Sequence, residues 1–223
     1  MGCMKDGFAW EVYQADRRRA RTGAPLPCAS IHVTTQDGES EFIEVPAAVG
    51  RRLASQKQKG TAHVSCKDEL LTLVASCNRA VAWEQLVKLF DRRDYAEREC
   101  VRKLVHAGFD HALAHETVQR GVACGLVSNA RYADAFVRSK VAAGWGMERI
   151  RRELSNRGVQ VSDLSGWPYE YLDPDDELER ARNVASKKTV REPNAYAKLV
   201  RFLMGRGFSY GVATQAAKDS MSC

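Results

Sequence analysis

The sequence predicts a mainly α protein: a tandem array of three three-helix repeats, preceded by a small N-terminal β-hairpin module. Three observations carry this. A basic, amphipathic phrase recurs as CVRKLVHAGF (Cys100 to Phe109), IRRELSNRGV (Ile150 to Val159) and LVRFLMGRGF (Leu199 to Phe208). Its glycines, Gly108, Gly158 and Gly207, lie 50 and 49 residues apart. Each has a leucine four residues before it (Leu104, Leu154, Leu203) and an arginine six before it (Arg102, Arg152, Arg201). A period of that size marks one supersecondary unit used three times, each too small to bury its own face without neighbours. The second observation is a change of hydrophobic period near Ser65, from strand-like alternation to helical stripes. The third is that glycines punctuate those stripes, as helix stops should.

Residues 1–64 read as an arm and a hairpin. The chain to about Arg21 is polar and basic, and Arg17 to Arg21 (RRRAR) reads as a solvated arm. Ile31, Val33 and Thr35 alternate with polar residues, Asp37-Gly38 suits a hairpin turn, and Phe42, Ile43 and Val45 lead to Pro46. Gln56 to Thr61 reads as a loop.

Residues 65–128 read as a leading helix and the first repeat. Ser65 with Asp68 and Glu69 resembles a capping box, and Leu70, Leu71, Leu73 and Val74 begin a stripe. Helical patterns follow over about Val81 to Arg92, Tyr95 to Ala107 and His111 to Cys124. The second repeat, 129–172, holds helices over Ala130 to Ala143 and Met147 to Arg157, then a less regular piece in which Ser165 to Leu172 (SGWPYEYL) breaks the period. The third repeat, 173–223, opens on Asp173-Pro174-Asp175-Asp176-Glu177: an aspartate N-cap, proline at the first helical position and acids in the first turn. Helices are expected there over about 174–187, 194–206 and 210–218.

Composition bounds the function. Hydrophobic residues make up 44% of the 223, enough for a sizeable core, and lysine plus arginine (34) exceed the acids (28) to give +6. That surplus suits an anionic partner, and ordinary solubility accounts for it equally well. No window resembles a membrane span, and the first residues lack the apolar core of a secretory signal. The seven cysteines are scattered and form no C-x-x-C pair, which points to a reducing cytoplasm.

The most distinctive stretch is Arg131 to Gly146 (RYADAFVRSKVAAGWG). On a helix, Tyr132, Ala133, Phe136, Val137 and Val141 form the buried stripe, with Arg131 and Arg138 on the other side. Arg149, Arg151 and Arg152 add positive charge on the next helix, where Met147, Ile150 and Leu154 face inwards. One reading is a basic stripe that contacts phosphates or acidic side chains. The other is a solvated face with Asp134–Arg138 and Glu148–Arg152 as i, i+4 pairs. Tyr95 and Trp145, each thirteen residues before its repeat glycine, read as packing residues, as do Phe109 and Phe208. His111 and His115 have helical spacing, yet no further ligand completes a metal site. The phosphate-loop, dinucleotide-binding and esterase motifs are absent, and no catalytic constellation emerges. The expectation is a non-enzymatic binding protein with no cofactor and no metal.

Arg131 to Val159 (RYADAFVRSKVAAGWGMERIRRELSNRGV) resembles the signature region of the RecX regulatory proteins. Arg131, Tyr132, Ala133, Phe136, Val137, Arg138, Ser139, Lys140, Gly144, Gly146, Arg149, Ile150, Leu154 and Gly158 match that pattern. VRKLVHAGF and KLVRFLMGRGFSYGVATQAAK match the flanking repeats more loosely, so the likeness spans about Leu70 to Lys218. Ser128-Asn129 stands where the family has acids, and Trp167-Pro168 interrupts the third helix of the middle repeat. The resemblance implies a bent, all-helical array that docks as a monomer on the filament of the RecA recombinase. It would interfere with filament extension, ATP turnover and strand exchange, and touch single- or double-stranded DNA weakly. The candidate contacts are Arg131, Arg138, Lys140, Arg149, Arg151 and Arg152, flanked by Arg102, Lys103, Arg201 and Arg206. The alternative is a helix-turn-helix-like DNA-binding protein that acts without the recombinase.

Overall fold

A computed structural model of the chain describes residues 8–14, 26–35, 38–173, 176–190 and 193–221. Arg17 to Arg21, Asp37, Pro174 and Asp175 lie outside the described residues. The chain divides into two compact units, Met1–Val127 and Ser128–Cys223. It is mainly α, with a small antiparallel sheet near its N-terminus.

The sheet has three strands rather than the two of a hairpin: β1 (Ala9–Tyr13), β2 (Ala29–Thr34) and β3 (Ser40–Val45), paired in that order. Ala9–Tyr13 is therefore a strand within a first segment that reads in sequence only as polar and basic. The reason is Trp10 and Val12, which alternate with polar neighbours and turn inward, Trp10 being buried. The central strand alternates most cleanly, with Ala29, Ile31 and Val33 fully buried. Register pairs Ile31 with Val12 on one side and Ile43 on the other.

A helix not expected from sequence, α1 (Ala47–Gln58), follows Pro46 and covers the sheet with Val49, Gly50 and Leu53. Its last turn takes Gln56 to Gln58 out of the expected loop. A Cβ on Gly50 would stand 2.4 Å from that of Ala29, so glycine permits this helix–sheet approach. Lys57 donates to the Trp10 carbonyl and lies 5.0 Å from the centre of its indole.

The leading helix and the first expected repeat helix are one continuous element, α2 (Lys67–Phe90). Nothing between Ala75 and Val81 breaks it, and Cys77 and Val81 are both buried. Ser65 is not its N-cap, although Glu69 reaches back to accept from the Ser65 amide and hydroxyl, both at 2.8 Å. Then come α3 (Glu97–His106) and α4 (His111–Ala123), the latter capped by Asp110, which accepts from Ala112 N at 2.8 Å.

The second unit holds α5 (Asn129–Ala142), α6 (Met147–Asn156), a single 3-10 turn (Val161–Asp163), α7 (Glu177–Ser186), α8 (Ala195–Arg206) and α9 (Tyr210–Met221). Ser128 caps α5, its hydroxyl accepting from Arg131 N at 3.2 Å. After the 3-10 turn, residues 164–171 are turns, because Pro168 offers no N–H to a helix. Leu164 and Leu172 still anchor that segment in the core. Helix α7 begins three residues later than the sequence suggests, with Asp176 as an N-cap that makes no side-chain hydrogen bond.

The repeated phrase has one structural meaning. After α3, α6 and α8 the glycine takes a left-handed φ of 96°, 76° and 96° respectively. Its N–H bonds back three residues, to Val105, Ser155 and Met204 carbonyls, at 2.9 Å each time. The next residue (Phe109, Val159, Phe208) bonds back five, to the carbonyls of Leu104, Leu154 and Leu203, at 3.1 to 3.2 Å. That pair of bonds is the Schellman termination, and its apolar contact explains the leucine and the residue after the glycine. All three leucines are buried.

Candidate functional site

The middle repeat carries the densest group of candidate residues, and its geometry sorts them into two kinds. On α5 the stripe is inward as expected: Tyr132, Ala133 and Val137 are buried, while Phe136 and Val141 are half-buried. Arg131 and Arg138 are exposed on the same helix. The Nε of Arg138 donates to both oxygens of Asp134, at 3.1 and 3.2 Å, as the i, i+4 spacing predicts. The Tyr171 hydroxyl also donates to Asp134, at 2.9 Å, so the irregular segment after the 3-10 turn closes back onto α5. The Arg138 bond, and then the Tyr171 bond, hold the Asp134 carboxyl below the usual aspartate range. Burial and the bond to Asp134 push the Tyr171 phenol up.

On α6, Ile150 and Leu154 are buried, with Arg151 and Arg152 exposed. Glu148 pairs with Arg151 at 3.1 Å and not, as expected, with Arg152. An i, i+3 partner is equally near on a helix surface, and an exposed pair of this kind contributes only about 0–1 kcal/mol.

Arg149 and Arg206 have a different position. Arg149 Nη1 donates to the Gly205 carbonyl at 3.0 Å, and Arg206 Nη1 to the Ala143 carbonyl at 2.9 Å. Between them the backbones touch: Gly146 N donates to Arg206 O at 2.9 Å, and Glu148 N to Gly207 O at 3.3 Å. A Cβ on Gly146 would lie 2.3 Å from the Gly207 carbonyl oxygen. The start of α6 is thus locked to the end of α8, and both arginines spend donors on that lock. Trp145 sits beside it, with the Arg149 guanidinium 3.7 Å and the Lys140 ammonium 5.1 Å from its ring centre.

The same turn is held from α7 by two residues that charge patterning does not single out. Glu177, buried, accepts from Met147 N at 3.2 Å, and Arg180 Nη2 donates to the Trp145 carbonyl at 2.7 Å. Burial depresses the Arg180 pKa from its ordinary value. Glu177 reads in sequence as a helix-end acid, and only its burial reveals the second role.

The flanking candidates are split. Arg201 on α8 is exposed and bonds to the Ala197 carbonyl of its own helix at 3.2 Å. In the first unit Arg102 is exposed on α3, while Lys103 lies 5.0 Å from the centre of the buried Tyr95 ring, with Arg93 at 3.8 Å. Among the described residues no cluster of histidine, cysteine, aspartate and glutamate could hold a metal, and no helix is long and apolar enough to cross a membrane.

Family profiles described as the second and the third three-helix domain of RecX match residues 128–163 and 175–216. The regulatory protein RecX of Vibrio vulnificus is 34% identical over 137 residues, 60% of this chain and 88% of that protein. The chain belongs to the RecX family. The RecX of Acidithiobacillus ferrooxidans is 34% identical over 128 residues, 79% of its length, and that of Vibrio cholerae 32% over 151 residues, 98% of its length. Two RecX crystal structures share the fold. One, titled regulatory protein RecX, has a TM-score of 0.57 at 18% identity, covering 95% of this chain and all of that one. The other, from Lactobacillus salivarius, has a TM-score of 0.53 at 17% identity, covering 66% of this chain and 99% of that one. With RecX membership comes a regulatory role.

Proposed function

We propose that this chain regulates the RecA recombinase by lying on its DNA-bound filament, where it lowers ATP turnover and strand exchange. The single observation that carries the reading is the outward set of cations on α5 and α6, Arg131, Arg151 and Arg152, above a firmly packed apolar face. A surface of that kind finds both acidic side chains and phosphates on a nucleoprotein filament. Arg138 and Lys140 join the contact set, with Arg102, Lys103 and Arg201 flanking. Arg149 and Arg206 act as positioning residues, since their donors hold α6 against α8. DNA is touched weakly, as part of the same docking.

The functional units are the repeats at 65–128, 129–172 and 173–223, joined to an N-terminal module at 1–64. Several weak contacts spread over them give avidity that no single one supplies. The chain works by contact and without bond-making, as a monomer in the cytoplasm; the free thiols of the five described cysteines support a reducing compartment.

The test is ATP hydrolysis by RecA on single-stranded DNA. The chain at micromolar concentration slows hydrolysis, and Arg138→Glu with Arg152→Glu relieves the effect. Unchanged hydrolysis with the natural chain, or equal inhibition by the double variant, overturns the proposal. Tight, salt-steep retention of bare duplex without recombinase would instead favour autonomous DNA binding.

A further inference from the structure

The second unit contains a half-open cleft that none of the candidate residues was chosen to explain. Its volume is about 400 Å³, and it lies between the end of α5 and the α7–α8 pair. Ala143, Val184, Lys187, Lys188, Phe202 and Arg206 line it. From these residues we infer that the cleft takes one nucleotide of a single-stranded nucleic acid. The phosphate lies on the three cations and the base against Phe202 and Val184.

Charge argues first. The cleft brings together Lys187, Lys188 and Arg206, and among its described lining residues there is no carboxylate. The carbonyl ends of α5, α7 and α8 oppose them, but each helix C-terminus carries only roughly half a negative charge, so the three cations outweigh them. Arg206 spends Nη1 on the Ala143 carbonyl at 2.9 Å, which fixes the guanidinium and leaves its other donors for an anion. A guanidinium already held in place loses little freedom when it binds.

The apolar wall argues second. Lys188 and Arg206 each hold their charge 5.2 Å from the centre of the Phe202 ring, so cation and aromatic surface form one patch. An acidic side chain would satisfy the cations and leave the aromatic floor and most of the volume empty. A nucleotide uses both, and the volume suits a small-molecule-sized group. Bases in a duplex are stacked away from such a wall; those of a single strand are not.

The experiment is fluorescence anisotropy of a labelled oligodeoxythymidylate titrated with the full chain at two salt concentrations, without recombinase. Lys187→Glu with Lys188→Glu should weaken binding about tenfold or more. It should also flatten the salt slope by about 0.7, the contribution of one single-strand phosphate contact. Phe202→Leu keeps the charges and should weaken binding about fivefold or more through lost stacking. Thermal melts of both variants confirm that they fold.

An affinity and slope unchanged in the lysine variant overturn the inference, as does the absence of oligonucleotide binding by the natural chain. Tighter binding of free thymidine monophosphate than of the oligonucleotide would make this a site for free nucleotides and also overturn it. So would loss of filament binding alone, with oligonucleotide binding intact, since that marks a protein contact. Because the titration omits the recombinase, its failure leaves the filament reading standing.

Discussion

Gly207 gives the sharpest structural prediction, because its neighbour two residues away provides the control. At φ 96° the residue ends α8 in a left-handed conformation that costs a side chain about 1–2 kcal/mol. An alanine Cβ there would meet Arg149 Cβ at 2.3 Å and Arg149 N at 2.6 Å. The backbone of α6 cannot rotate away as a side-chain tip can, so the first turn of α6 must shift. Overpacking of that kind adds about 1–3 kcal/mol, and Gly207→Ala should cost about 2–5 kcal/mol in total. Gly205, inside α8, has nothing within 4 Å of a built Cβ. Gly205→Ala should therefore stabilise by about 0.5–1 kcal/mol through helix propensity, and it keeps the carbonyl that Arg149 uses. Differential scanning calorimetry reads both. One kcal/mol moves the midpoint of a unit the size of Ser128–Cys223, 96 residues, by about 4–8 °C, so the transition of that unit should fall by about 8 °C or more in Gly207→Ala and rise in Gly205→Ala. Equal midpoints for the two variants, or a Gly207→Ala protein as stable as the natural one, would refute the lock between α6 and α8.

Two further predictions concern titration. Asp134 has a depressed pKa in the folded chain, so its stabilising contribution is present at neutral pH and lost as pH falls through the folded value. Tyr171→Phe should move the Asp134 carboxyl up towards the ordinary range in an NMR titration, and no movement would exclude the Tyr171 bond as a cause. Burial pushes the Cys100 thiol up to about 12. Iodoacetamide at mildly alkaline pH should therefore label exposed Cys66 and Cys124 while sparing Cys100 until denaturant is added; early labelling of Cys100, read by mass spectrometry, would contradict its burial.

What the sequence made legible follows from how local each signal is. The repeated Leu-x-x-x-Gly phrase is a complete helix termination within ten residues, so it predicted the ends of α3, α6 and α8. The Asp134–Arg138 pair is one helical turn and was equally readable. Strand β1 was missed because a five-residue strand offers only Trp10 and Val12 as inward positions, too few to show a period. Helix α1 was missed because its covering face includes Gly50, whose lack of a side chain is the point of contact with Ala29. Most telling are Arg149 and Arg206. Their partners are backbone carbonyls 56 and 63 residues away, and a carbonyl leaves no trace in the sequence. Charge counting grouped them with outward cations, although their bonds tie two helices together.

The most direct measurement is co-sedimentation of the chain with RecA filaments on single-stranded DNA, before any activity is read. The natural chain should pellet with the filament. A variant carrying Arg131→Glu, Arg138→Glu and Arg152→Glu should stay in the supernatant while still unfolding cooperatively above the assay temperature. A folded variant that pellets as well as the natural chain would show that the outward cations of α5 and α6 do not make the contact.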